Sequence, residues 1–338
     1  MAHMIDETTG RAATAWVGLP PWHGLGTQMS DNEPLNEWLV KAGMDWKALR
    51  RPLGFDVGNI CDTETEELKN PTNFFQLRDL QALVRSVTNG FRGMASPKYK
   101  IVQPDEVMNF FEDLTTAYGF KMETAGVLRE GRIIWALAKT PLATALDDID
   151  EVDAYLLLST SFDRSLATTA RFTSIRVVCN NTLTMANVGG RSVVTIPHSK
   201  KFDPDQAKID LKIGAAWEKF RSTIDRLANT PVSYEDQAKF LLKVYHNVDK
   251  PEGTRSEERT MQRLGSILRN SPGSDMPTAL GTMWGLLNAV THDQDYSRGR
   301  RNDDNRMTQS WFGGGERLKN KAFKTAMEMA GMSEEVEA

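Results

Sequence analysis

The amino-acid sequence predicts an α+β fold: an antiparallel β-meander flanked by helices, with a mainly helical C-terminal region. Three observations carry this expectation. Four strand candidates follow one another over residues 120–173, mostly through connections too short for the crossover of about a dozen residues that parallel neighbours need. Ile209, Ile213, Trp217, Phe220, Ile224 and Leu227 then recur at the three-to-four spacing of one helix face. The 338 residues are 40% apolar with eight Trp, enough for a packed core and too rich for a disordered chain.

Three segments follow from the patterning: a turn-rich stretch 1–70 with one helix, an antiparallel α+β core 71–200, and a helical region 201–338. In the first, Ser30 and Glu33 have capping-box spacing ahead of Leu35, Trp38 and Leu39, and Gly43 suits a left-handed stop. A strand-like run at Leu53–Val57 follows. Gln81–Val87 and Phe91–Ser96 flank Asn89-Gly90, a pair that readily takes the positive φ of a tight hairpin, and Tyr99–Gln103 is expected to extend the sheet. Pro104-Asp105-Glu106 opens a helix with Val107, Phe110, Phe111, Leu114 and Ala117 along one face.

Strands at Phe120–Leu128 and Arg132–Lys139 flank the turn Arg129-Glu130-Gly131. After an acidic loop, Ala154–Phe162 and Ala167–Thr173 meet at the corner Asp163-Arg164-Ser165. A helix carrying Val177, Val178 and Leu183 is expected to start near Ser174 and cross the meander. Beyond a boundary near residue 200, the pattern predicts a long helix, a second capped by Ser233, and others at 256–269, 278–291 and 317–331.

Few chemistries are encoded in local motifs. Cys61 and Cys179 form no CxxC pair, and His3, His23, His198, His246 and His292 show neither HExxH nor HxH spacing, so no metal is expected. Gly313-Gly314-Gly315 lacks the Lys-Ser/Thr of a phosphate-binding loop, so no nucleotide cofactor is expected either. Cys179 beside Asn180 and Asn181 carries no nucleophile signature and reads as a packing residue. No apolar run reaches the roughly 18 residues of a membrane span, and the first residues do not resemble a signal peptide; a cytoplasmic protein is expected.

Charge is distributed unevenly. The formal net charge is −4, but residues 161–201 hold Arg164, Arg171, Arg176, Arg191, Lys200 and Lys201 against Asp163 alone. The preceding 141–160 carry Asp147, Asp148, Asp150, Glu151 and Asp153 with no base, and a second basic run occupies 296–324. Such segregation can form a positive groove on a mildly acidic molecule. Basic side chains interleaved with aromatic and hydroxyl groups suit a nucleic-acid backbone. The predicted contacts are Arg164, Arg171, Arg176, Arg191, Lys200 and Lys201, with Phe172 or Tyr99 as stacking rings. Pro20-Pro21-Trp22-His23-Gly24-Leu25-Gly26 places Trp22 and His23 either in the core or at a ligand surface, and the residues leave both open.

Pro21–Gly26, Tyr99–Gln103, Arg176-Val177-Val178-Cys179-Asn180-Asn181-Thr182-Leu183 and Asn288–His292 together resemble the phage/plasmid-like protein family, which carries a large domain of unknown function. That resemblance implies mobile-element biology without an established activity. The expected order of helix, meander and crossing helix is similar to that of single-strand annealing proteins, the group of phage Red-beta, RecT and Erf. It implies a homo-oligomer that holds single-stranded DNA by its backbone and needs no nucleotide cofactor. Two alternatives come from other classes: a nuclease or nucleotide-modifying enzyme using His23, His292, Asp293 and Asp295, and a structural or host-interaction homo-oligomer.

Overall fold

The computed structural model describes residues 4–18, 24–56, 74–176, 181–184, 193–245, 255–297 and 306–332. Eleven strands are seen among them: β1 (Thr14–Trp16), β2 (Thr27–Gln28), β3 (Ala48–Asp56), β4 (Phe74–Arg85), β5 (Phe91–Ala95), β6 (Lys121–Leu128), β7 (Ile133–Leu146), β8 (Asp150–Ser161), β9 (Thr168–Arg176), β10 (Asn181–Thr184) and β11 (Val193–Ile196). An eight-stranded sheet runs in the order β10-β9-β8-β7-β6-β1-β2, with β11 also on β9; β3-β4-β5 form a second, three-stranded sheet. Every pairing is antiparallel except β1 with β2. The fold is therefore the α+β class that the sequence predicts.

The meander is longer than its sequence signals. Residues 141–153 are not a loop, because β7 and β8 stay paired down to Leu146 and Asp150 around a tight turn in which Asp147 and Asp148 take φ of 49° and 59°. Asp150 is buried and accepts hydrogen bonds from Thr278 Oγ1 at 2.7 Å and Trp284 Nε1 at 3.1 Å. Among the described residues no helix begins near Ser174; Leu183 lies on β10, and Val177 and Val178 lie outside the described residues. Thr173, Ser174 and Ile175 continue β9 to Arg176, paired with β8 on one side and β10 on the other. β-branched residues suit a strand at least as well as a helix face. The crossing helix on which the likeness to annealing proteins rests is thus not found at that point, and β10 and β11 stand in its place.

Helices line both ends of the chain order. α1 (Leu35–Lys41) starts after Pro34, later than the Ser30 cap predicts. α2 (Pro104–Asn109) and α3 (Glu112–Ala117) divide the predicted single helix, with Gln103 and Glu106 forming a capping box on α2. Gln103 consequently ends no strand; its side-chain amide bridges the backbone of Ala48. The long C-terminal helix is likewise two, α4 (Pro204–Leu211) and α5 (Ile213–Ala228), broken where Lys212 takes φ of 42°. α6 (Tyr234–Tyr245), capped by Ser233 as predicted, precedes α7 (Arg255–Asn270), α8 (Met283–His292), a π-helical turn over Asp293–Ser297, α9 (Arg306–Phe312) and α10 (Gly314–Met329).

Alternation along the central strands sends successive side chains to opposite faces. Ile134, Ala136, Leu156, Leu158, Ala170 and Phe172 enter the main core, which runs from Ala13 to Met327 and joins sheet and helices across residue 200. Phe172 lies at 0% exposure there, edge-on to Trp217 at 6.2 Å. Ile133, Trp135, Leu137, Tyr155 and Leu157 enter a smaller core on the other face, under Trp311 and Phe312 of α9. Trp135 meets Trp311 edge-to-face at 5.3 Å.

Candidate functional site

Three hairpins end together at one edge of this architecture: β4–β5, β6–β7 and β8–β9. Each contributes one arginine to a common open pocket of about 220 Å³. Arg92 comes from β5. Arg132 follows the turn Arg129-Glu130-Gly131, whose three residues all take left-handed φ. Arg164 stands at the β8–β9 corner at φ 66°, where Asp163 Oδ1 accepts from Ser165 N at 2.9 Å. Phe162 N donates to Arg132 O at 2.8 Å, tying the two corners together.

Two glycines make the convergence possible. A Cβ on Gly93 would lie 2.4 Å from Phe162 O, so only glycine lets β5 dock against the β8–β9 corner. At Gly131, φ is +88° and a Cβ would lie 2.6 Å from Arg92 Nε, so a side chain there would displace the guanidinium.

The electrostatics of the pocket are one-sided. Arg92 is 4% exposed, and its Nη1 donates to Phe91 O at 3.2 Å while its Nε has no partner. Burial pushes its pKa below the ordinary arginine value; Asp6 opposes that, Arg85 reinforces it, and Glu130 and Arg132 act more weakly in opposite senses. Arg132 Nε is also buried without a partner. Among the described residues, Arg92, Arg132 and Arg164 form no ion pair, and Asp163 is the one acid lining the pocket. Phe91 and Met94, 48% and 45% exposed, stand on its rim. A buried cation without an ion-pair partner is costly; Arg92 is buried while Arg132 is half-buried and Arg164 exposed, so an anion arriving here relieves the penalty at Arg92.

The predicted contact residues divide between places. Arg164 belongs to the pocket. Lys200 and Lys201 are exposed near it, because His198 Nδ1 and Nε2 face Lys100 O at 3.0 Å and Leu166 O at 3.1 Å, joining that loop to the β8–β9 corner. Tyr99 lies in the same zone but not as a free ring: its hydroxyl donates to Ser161 O at 2.8 Å and its face stacks on His198 at 4.3 Å. Burial raises its phenol pKa. Phe172 is likewise no stacking platform, since it points into the main core.

Arg171 departs most from its predicted role. Its alternation places it opposite Phe172, 8% exposed, in an ion pair with Glu316 Oε1 at 2.6 Å. Its guanidinium also donates to Trp311 O and lies 5.8 Å from the Phe312 ring. Arg176 sits at the far end of β9 from Arg164, its backbone opposite Val152 and Asn181. Arg191, Trp22 and His23 lie outside the described residues. The cations of β9 therefore do not form one strip.

The residues proposed for an enzyme are engaged internally. Asp293 is fully buried and accepts from Arg263 Nε at 2.5 Å and Tyr245 Oη at 2.9 Å. Asp295 pairs with Lys319 Nζ at 2.7 Å and also accepts from Ser310 Oγ. His292 packs on Tyr296, and burial lowers its pKa, with Asp295 and then Asp293 pulling it back up. No group of three His, Cys, Asp or Glu side chains able to hold a metal occurs among the described residues, and no helix of theirs is long and apolar enough to cross a membrane.

Sequence reasoning misses Arg92 and Arg132. They lie 40 residues apart, neither within a basic run. Their available signal is the glycine one position away, at 93 and 131.

Comparison with known proteins adds a family and no activity. Neither the curated proteins nor the solved structures provide a match. A family model described as a domain of unknown function, DUF932, matches residues 92–311, well over half of the chain and spanning all three pocket arginines. The chain belongs to the DUF932 family.

Proposed function

We propose that this protein binds single-stranded nucleic acid at the hairpin end of its large sheet, acting in strand annealing or recombination for a phage or other mobile element without a nucleotide cofactor. The observation that carries the reading is that Arg92, Arg132 and Arg164 line one pocket without an ion pair among the described residues, with Phe91 and Met94 beside them. Guanidinium groups supply the forked donors that phosphate oxygens accept, and exposed apolar side chains beside them offer contact for an unpaired base. Lys98, Lys100, Lys200 and Lys201, exposed on the adjoining loops, extend the positive surface. Annealing requires phosphate neutralisation and accessible bases rather than an acid–base pair, and homo-oligomerisation belongs to the same proposal. The internal ion pairs of Asp293 and Asp295 weigh against their use as catalytic bases.

Fluorescence anisotropy with single-stranded DNA, duplex DNA and RNA at several salt concentrations tests this reading. Single strands should bind most tightly, with affinity falling steeply with salt. Salt-insensitive binding, or none, would overturn it.

A further inference from the structure

Resting on the nucleic-acid reading, we propose that the Arg92–Arg132–Arg164 pocket binds a strand end carrying a terminal phosphate more tightly than it binds an internal phosphodiester. A backbone track requires cations spaced along a groove. Here three different hairpins each line one small depression with an arginine, from the nine-tenths buried Arg92 through the half-buried Arg132 to the exposed Arg164. With Asp163 as the sole lining acid, the pocket carries a net charge of about +2, matching a phosphomonoester, which bears about −1.5 to −2 at neutral pH and offers three terminal oxygens. An internal diester bears a single charge.

Size points the same way. The pocket is open and, at about 220 Å³, smaller than the roughly 300–1,000 Å³ of ordinary small-molecule sites, a size that suits a phosphate and its sugar. Its innermost cation, Arg92, is nine-tenths buried, has an unpartnered Nε, and is held against Gly131 where any side chain would evict it. Such a group is preorganised for a compact anion. Phe91 and Met94 then stand where the first base beyond the phosphate would lie.

The test compares single-stranded DNA of one length and sequence with a 5′-phosphate, a 3′-phosphate or hydroxyls at both ends, by anisotropy at constant salt. A phosphorylated end should bind about tenfold more tightly than the unmodified strand, and inorganic phosphate should compete selectively with that increment. Arg92→Ala sits in the interior and can fail to fold, so the deciding variant is Arg132→Gln/Arg164→Gln on the pocket wall. That variant should lose the end preference while retaining residual affinity for the unmodified strand. Equal affinity for all three ends in the wild-type protein would overturn end recognition and leave general strand binding standing. No binding to any strand would overturn both. An end preference that survives in the double variant would exclude this pocket as its source.

Discussion

Arg92, Arg132 and Arg164 at the hairpin end of the sheet, and Arg171, Arg263 and Lys319 beneath its C-terminal cover, are the same chemistry in opposite electrostatic situations. In the second region each cation meets a carboxylate: Glu316, Asp293 or Asp295. The first pair ties α10 to β9, and the other two tie the π-helical turn to α7 and to α10, so each of these charges is met inside the protein. In the first region no carboxylate among the described residues forms an ion pair with the guanidinium groups; Asp6 and Glu130 act on Arg92 without pairing with it, and Asp163 is the one acid lining the pocket. A basic residue's neighbours in sequence therefore say little about its use. What decides is whether the tertiary structure delivers a counter-ion.

Substitutions can sharpen that contrast, and the largest effects should fall on the paired side. Lys319→Met breaks the buried Asp295–Lys319 ion pair and should cost about 3–5 kcal/mol in chemical denaturation. Oligonucleotide affinity, measured where the variant is still folded, should be unchanged. Phe172→Ala should cost a similar amount, about 3–5 kcal/mol, by opening a cavity beside Trp217. Little destabilisation from either would mean that this half of the molecule is packed less tightly than its burial indicates.

On the unpaired side the order reverses. Arg132→Glu/Arg164→Glu should shift stability by about 1 kcal/mol or less, since Arg164 is exposed and the half-buried Arg132 has no ion pair among the described residues to lose, while lowering single-strand affinity more than tenfold. Gly131→Ala connects the two readouts. Its positive φ alone should cost about 1–2 kcal/mol, and the new methyl should push Arg92 aside and weaken binding further.

A smaller effect should appear with pH. His292 has its folded-state pKa lowered by burial, so the unfolded chain takes up more protons once the pH falls through about 6.5. Stability from this group is present above that pH and declines below it. Urea midpoints at about pH 7.5 and pH 5.5 should therefore differ less in His292→Gln than in the wild type; an identical difference would show that the histidine does not contribute.

Much of the fold was readable from local chemistry, because local chemistry sets it. Asn89-Gly90 turns β4 into β5, Arg129-Glu130-Gly131 turns β6 into β7, and Ser233 caps α6, each through an interaction spanning only a few residues. Failures arise where tertiary pairing competes with a local preference. Residues 174–176 fit a helix start, but β8 and β10 offer them two flanking ladders and they remain a strand. The acids of 147–153 make this stretch look like a solvated loop, yet residues 141–146 and 150–153 extend a hairpin whose Asp150 accepts hydrogen bonds from Thr278 and Trp284, more than a hundred residues away.

The site was legible only in part. Arg164, Lys200 and Lys201 belong to loops that reach the same end of the sheet, whereas strand alternation turns Arg171 toward Glu316 and Phe172 into the core. Arg92 and Arg132 carry no sequence signature as a pair, since their meeting depends on how two sheets dock through Gly93.

The most direct test of the unpaired-cation account is the salt dependence of single-stranded DNA binding by the wild type and by Arg132→Ala/Arg164→Ala. If both side chains neutralise phosphate, the slope of log affinity against log salt should become shallower by about 0.7 for each arginine removed. An unchanged slope in the double variant would contradict the account.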